Sequence, residues 1–205
     1  MREAKRGLRW AAALVVVATL GTACASKSAP PASSPVASST PDPTTLVGHD
    51  APNFSLVDQF GQPKQLGQYQ GKVVLLTFVS SHCTTICPLT AEMLSQTQDL
   101  LGPDAKKLQL VAVNANPVFR SVGAVMRWSK LHAMVHRWVF LTGSVPQLTT
   151  VYKDYGIQPG SNHTTLVFVI DGQGRIKTLV PIAQKKSLDA EAKVLAKYVR
   201  GVESS

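Results

Sequence analysis

Apolar residues in this chain gather into short unbroken runs, and the stretches between them repeat with helical period. Residues 73–79 (VVLLTFV), 108–113 (LQLVAV) and 165–170 (TLVFVI) are rich in β-branched side chains, the pattern of strands covered on both faces. Residues 138–141 (WVFL) add a fourth strand. Leu89, Met93 and Leu100 recur at helical spacing after the first run, and Leu188, Ala192, Leu195 and Val199 do so near the end. Residues 125–134 and 145–155 supply two further helices. Asp171-Gly172-Gln173-Gly174 separates TLVFVI from IKTLV, a hairpin signal that makes the last two strands antiparallel. An early segment around Phe54 and Leu56 with a turn at Gly61-Gln62 predicts a β-hairpin before the first core strand. Strands alternating with helices predict an α/β sandwich around a central mixed sheet.

The termini follow a different rule. Arg2, Lys5, Arg6 and Arg9 precede an apolar stretch from Trp10 to Leu20. Eleven helical residues span roughly 16 Å, about half a hydrocarbon core, which predicts a signal peptide over residues 1–23 and not a membrane-spanning helix. Leu20-Gly21-Thr22-Ala23-Cys24 resembles a bacterial lipobox, with Cys24 as the lipid-modified residue and Gly21 in place of the usual leucine. Residues 24–45 hold Pro30, Pro31, Pro35, Pro41 and Pro43 among Ser, Ala and Thr, too few large apolar side chains to fold, and read as a tether. The expectation is a domain of residues 46–205, lipid-anchored on the extracytoplasmic side of a bacterial cell membrane.

This partition changes the meaning of charge and cysteine count. The 205 residues carry a formal net charge of +9, which loss of residues 1–23 reduces to +6 by removing four basic groups and one acidic group. What remains forms no long Lys/Arg block with interleaved aromatics, so a nucleic-acid partner is not expected. Three cysteines are an odd number. With Cys24 capped by lipid, Cys83 and Cys87 are left as a pair.

The pair sits between a buried strand and a helix, as the redox pair of the thioredoxin fold does. Pro88 suits a helical first turn, residues four apart share a helix face, and a helix N-terminus favours thiolate over thiol. Two such sulfurs can close a disulfide or hold a soft metal ion. A structural Cys83–Cys87 bridge would close too small a ring to stabilise the fold much. Three intervening residues instead of two give the sulfurs room to spread around an ion. A third ligand is sought among His49, His82, His132, His136 and His163. His163 is the best candidate: its loop precedes the strand TLVFVI, and in a thioredoxin-like sheet that loop faces the cysteine-bearing helix. His82 is the alternative, although a sequence neighbour of Cys83 tends to point away from it. Two thiolates and an imidazole suit copper, sulfur matching Cu(I) and nitrogen making Cu(II) accessible.

Cys83-Thr84-Thr85-Ile86-Cys87-Pro88 after a buried strand, with His163 before Leu166–Ile170 and Trp138-Val139-Phe140-Leu141-Thr142-Gly143 between them, resembles the Sco/SenC family of membrane-tethered, thioredoxin-fold copper proteins. The resemblance covers residues 47–200. It implies Cys83, Cys87 and His163 as copper ligands. It also implies a partner: the cytochrome c oxidase subunit carrying the binuclear copper centre, or another copper acceptor, which the protein supplies with copper or keeps reduced. The chain departs from the family pattern at Thr84-Thr85, where Pro-Asp is usual, at Val113-Asn114-Ala115-Asn116-Pro117, where an Asp-Pro segment is common, and at Asn162, where an acidic residue often stands. All three changes remove negative charge near the site.

Two functions therefore compete on the same residues. A copper chaperone needs Cys83, Cys87 and His163. A thiol-disulfide oxidoreductase needs the Cys83–Cys87 pair, reduced and oxidised in turn, and no histidine. A peroxidase of the peroxiredoxin type would want a proline and a threonine upstream of its cysteine, and Val79-Ser80-Ser81-His82 offers only a serine.

Overall fold

The computed structural model describes residues 42–160, 165–182 and 187–203. Cys24, His163, the expected signal peptide and most of the expected tether lie outside them. Pro43–Leu46, at the end of the expected tether, forms a 3-10 turn capped by the Asp42 carboxylate.

Among the described residues seven strands follow in chain order: β1 (Ser55–Val57), β2 (Pro63–Gln65), β3 (Val73–Val79), β4 (Leu108–Asn114), β5 (Trp138–Leu141), β6 (Leu166–Ile170) and β7 (Ile176–Pro181). Four α-helices accompany them there: α1 (Ile86–Leu101), α2 (Val122–Leu131), α3 (Val145–Asp154) and α4 (Leu188–Glu203). The main sheet has the order β5-β4-β3-β6-β7. β3 runs parallel to β4 and β4 to β5, whereas β6 is antiparallel to both β3 and β7. The mixed sheet and the closing hairpin match the sequence expectation. Gly174, with φ of +86°, supplies the left-handed turn residue that a side chain there would strain.

β3 is buried along its whole length, and its alternation sorts the core into two layers. Val73, Leu75 and Val79 face one layer with Met93 and Leu94 of α1, Trp128 of α2, and Ala192 and Leu195 of α4. Val74, Leu76 and Phe78 face the other, with Leu148, Val151, Tyr152 and Tyr155 from α3 and its end. Helices therefore cover both faces, as a continuous apolar strand requires. Among the described residues no helix is long and apolar enough to cross a membrane.

β1 and β2 form the expected N-terminal hairpin as a separate two-stranded sheet. Asp58 shapes its turn by accepting the amides of Phe60 and Gln62. Val57 and Thr142 exchange backbone hydrogen bonds of 2.9 and 2.8 Å, which dock the hairpin against the end of β5. Gln59, 2% exposed, fixes it further: its amide donates to the carbonyls of Val135 and Trp138 and accepts from the Phe140 amide.

Candidate metal and thiol centre

β3 delivers the chain to the end of the sheet where the cysteines lie. Ser80 follows the strand, and its carbonyl accepts the Cys83 amide at 3.0 Å. The Ser80 hydroxyl accepts the His82 amide. The helix then begins at Ile86, so Cys87 is its second residue while Cys83 lies in the loop before it. The expectation that the cysteines lie in or near the first helical turn is met by Cys87 within it and Cys83 just before it. The helical path breaks between them at Thr85, whose φ of −113° and ψ of −90° are not helical and whose side chain makes no cap.

A sulfur fills the role Thr85 leaves open. The Cys87 amide donates to Cys83 Sγ at 3.4 Å, so the thiol caps the helix as a Ser or Asp oxygen does elsewhere. The Thr85 hydroxyl lies 3.7 Å from the same sulfur. Both thiols are free and buried, Cys83 6% and Cys87 1% exposed.

Their acidities diverge. Burial pushes the Cys83 thiol up, but hydrogen bonds from the Cys87 side chain, the Thr85 and Cys87 amides and the Thr85 hydroxyl more than offset it, leaving Cys83 below the ordinary thiol value. Burial pushes Cys87 far up, and donating to Cys83 beside its charge adds to the shift. The pair thus holds one thiolate-prone sulfur and one retained proton, with the positive end of α1 beneath both.

Polar groups lock this loop in place. Asn114, fully buried at the end of β4, accepts the amides of Ser81 and Asn116 at 3.2 Å each and donates to the carbonyls of Asn116 and Phe119 at 3.1 and 2.9 Å. The Ser81 hydroxyl donates to the same Phe119 carbonyl. Trp128 Nε1 donates to the Cys83 carbonyl at 3.2 Å. The sequence marks Asn114 only as part of a segment that departs from the family pattern near the site, and gives no sign of its hydrogen bonds; Trp128 carries no signal in the sequence as a site residue.

The histidines separate in space. The His82 ring stacks on Phe119 with centroids 4.1 Å apart and planes 9° apart. His132 is the C-terminal cap of α2 and lies 4.0 Å from the Trp128 ring, where burial pushes its pKa down. His136 stacks loosely on Phe60, centroids 6.4 Å apart. His49 contributes its carbonyl to the Ile176 amide. Among the described residues no three His, Cys, Asp or Glu side chains gather as a metal site; His163 is outside them.

The described residues flanking the His163 segment are held at the cysteine end of the sheet. The Gly160 amide donates to the Ala115 carbonyl, the Ala115 amide to the Val79 carbonyl, and the Ile182 amide to the Thr165 carbonyl. The Thr77 hydroxyl donates to the Leu166 carbonyl, and Thr77 pairs with Val167 across β3 and β6.

Known proteins share both fold and sequence. The mouse (Mus musculus) mitochondrial SCO2 homolog is 33% identical over 108 residues, 51% of this chain and 41% of that protein. The chain spans less than half the length of the curated relatives it matches. A crystal structure of copper-bound ScoI from Arabidopsis thaliana superimposes with a TM-score of 0.64 at 19% identity, over 74% of this chain and 98% of the other. BsSco, described as a Sco-family cytochrome c oxidase assembly protein with a disulfide switch, does so with a TM-score of 0.62 at 18% identity, covering 78% and 96%. These likenesses establish the thioredoxin-like fold. The SCO1/SenC family model matches residues 43–200, nearly the whole described domain, and the chain belongs to the SCO1/SenC family.

Proposed function

We propose that this protein carries copper as cargo and assists assembly of the binuclear copper centre of cytochrome c oxidase, working from the extracytoplasmic face of a bacterial membrane to which a lipid on Cys24 tethers it. The observation that carries the reading is the Cys83–Cys87 pair: two unbridged sulfurs within one turn, one already favoured as thiolate. Cys83 is the first ligand to engage the ion. Cys87 follows by losing its proton to solvent as the cation binds, since metal binding and thiol deprotonation are coupled. His163 is the third ligand. The fixed ends of its segment, Gly160 and Thr165, support that assignment, and two soft sulfurs with one imidazole suit copper in both oxidation states. The copper-bound relatives point the same way.

The test is copper retention by the full chain, loaded in the reduced state and challenged with a chelator. Wild type is expected to hold stoichiometric copper and Cys83→Ser or Cys87→Ser to lose it. His163→Ala is expected to lose Cu(II) retention, with a changed absorption and EPR spectrum. Unchanged stoichiometry and spectrum in His163→Ala would sink the ligand set.

The split acidity of the pair also favours a second reading, thiol-disulfide exchange on a partner. The Cys83 thiolate attacks a partner disulfide, releasing one partner thiol. Cys87 then gives up its proton and attacks the mixed disulfide, freeing the second partner thiol and leaving a Cys83–Cys87 bridge. Reduction of a disulfide substrate by the copper-free protein, undiminished in His163→Ala, separates this reading from the first.

A further inference from the structure

The loop between β4 and α2 is fastened to the cysteine loop yet turns apolar side chains outward. Its Phe119 carbonyl is held by Ser81 and Asn114, and its ring stacks on His82. Even so, Val118 is 74% and Phe119 42% exposed. Together they form one wall of an open groove of about 570 Å³, with Val57, Thr142 and Gly143 also lining it and Gln147 of α3 among its further lining residues. Rigid, exposed apolar side chains beside a reactive pair mark an interaction surface more than a folding feature.

Charge selects the occupant. Arg120 and Arg127 are the charged residues lining this groove. Among the described residues neither forms an ion pair; Arg120 donates only to the Pro117 carbonyl. Two unpaired guanidinium groups above an apolar wall match carboxylates flanking an aliphatic or aromatic side chain. Two arginines are fewer than the cluster of basic residues an anionic membrane surface takes.

We propose that this groove is the docking surface for an acidic, apolar-bearing segment of the protein partner. It rests on the reading that Cys83 serves a partner, and it places that partner's recognition segment on the Phe119–His82 side of the centre. The groove adjoins the cysteine loop through the His82–Phe119 stack, so a bound segment brings its own chain up to Cys83.

The full chain in detergent micelles is titrated against a short fluorescein-labelled peptide alternating aspartate with leucine, and against its lysine–leucine counterpart, by anisotropy. Wild type is expected to bind the acidic peptide preferentially, with affinity falling as salt rises. Arg120→Gln combined with Arg127→Gln is expected to weaken it about fivefold, on the order of two exposed charge contacts. Val118→Ser weakens it without changing the salt dependence, and Arg127→Glu shifts preference towards the lysine peptide. Equal affinity for both peptides overturns the proposal, as does displacement of the acidic peptide by inorganic phosphate with the Val118 variant unaffected, which would mean a bare anion site. Binding to phosphatidylglycerol vesicles that vanishes in the arginine variants, with no peptide binding, would instead assign the surface to lipid. Copper retention is measured on the same samples: its loss in wild type with peptide preference intact would refute the copper reading and leave the docking surface standing.

Discussion

The amide of Cys87 donates to the sulfur of Cys83 over 3.4 Å, making one cysteine of the pair the helix cap of the other. Two donors from one residue, the amide and the thiol, converge on Cys83. Cys87→Ala keeps the amide and deletes the S–H donor, so the Cys83 thiolate midpoint rises. Cys87→Ser retains a hydroxyl donor and raises it less. A hydrogen bond to a charged acceptor contributes on the order of 1.5–3 kcal/mol, large enough to read from the pH dependence of thiolate absorbance or of alkylation rate. Identical midpoints in wild type and Cys87→Ala would show that the amide and the dipole alone hold the thiolate.

Asn114 does for the loop what Cys87 does for the sulfur. Its four hydrogen bonds join the end of β4 to Ser81, Asn116 and Phe119. Asn114→Ala takes a partner from the part-buried Ser81 and Asn116 amides and from the Asn116 carbonyl, while the Phe119 carbonyl keeps the Ser81 hydroxyl; at about 1–3 kcal/mol for a group left unsatisfied, it is expected to destabilise the domain by about 2 kcal/mol in denaturant unfolding. Asn114→Asp restores the acceptor but not the donor, and is expected to recover the Ser81 amide's protection from hydrogen exchange while Phe119 stays loosened. Equal protection in the alanine and aspartate variants would remove Asn114 as the organiser of the loop.

The sequence made the scaffold legible and the fine geometry of the centre much less so. VVLLTFV is short and rich in β-branched residues, the marks of a strand buried on both faces rather than of a buried helix, and β3 does separate Val73 and Leu75 from Val74 and Leu76. The Asp171–Gly174 hairpin was equally explicit. Local period, by contrast, put the cysteines in or near the first turn without saying where the helix begins. The non-helical Thr85 decides that, and the resulting sulfur cap depends on backbone angles that residue type does not dictate. The Asn114–Ser81 bond spans 33 positions and the Trp128–Cys83 bond 45. Contacts that distant arise from packing, and leave no periodic trace.

Three buried groups, with the half-buried Tyr69 raised for the same reason, lower stability at alkaline pH. Burial raises Cys87, Tyr152 and Tyr155, the last aided by Asp154, above the unfolded values of 9.0 for the thiol and 10.0 for the phenols. Their hydroxyls and thiol keep their protons in the fold: Tyr152 donates to the Asn114 carbonyl at 2.6 Å and Tyr155 to the Pro52 carbonyl at 2.7 Å. Once pH passes 9 to 10 the unfolded chain has lost protons that the native state holds, so the unfolded state binds fewer protons, unfolding releases them, and stability falls with rising pH. Their contribution is fully present below pH 9. Urea midpoints are expected to drop steadily above that point, and less steeply in Tyr152→Phe. A flat profile through pH 11 would contradict the burial of all three.

His82 adjoins Cys83 in sequence, yet its ring lies 9° from parallel with Phe119 at 4.1 Å. That stack engages the imidazole with the docking wall and not with the sulfurs. His82→Ala is therefore expected to retain stoichiometric copper with an unaltered spectrum, in contrast to His163→Ala. It frees the Phe119 ring, whose carbonyl stays fixed by Ser81 and Asn114, so the acidic peptide should bind more weakly while the thiols keep their acidities. His82→Phe preserves a stacked ring and should restore peptide affinity. If copper were lost in His82→Ala and in His82→Phe alike, the imidazole would belong among the ligands, and the stack would describe only the metal-free conformation.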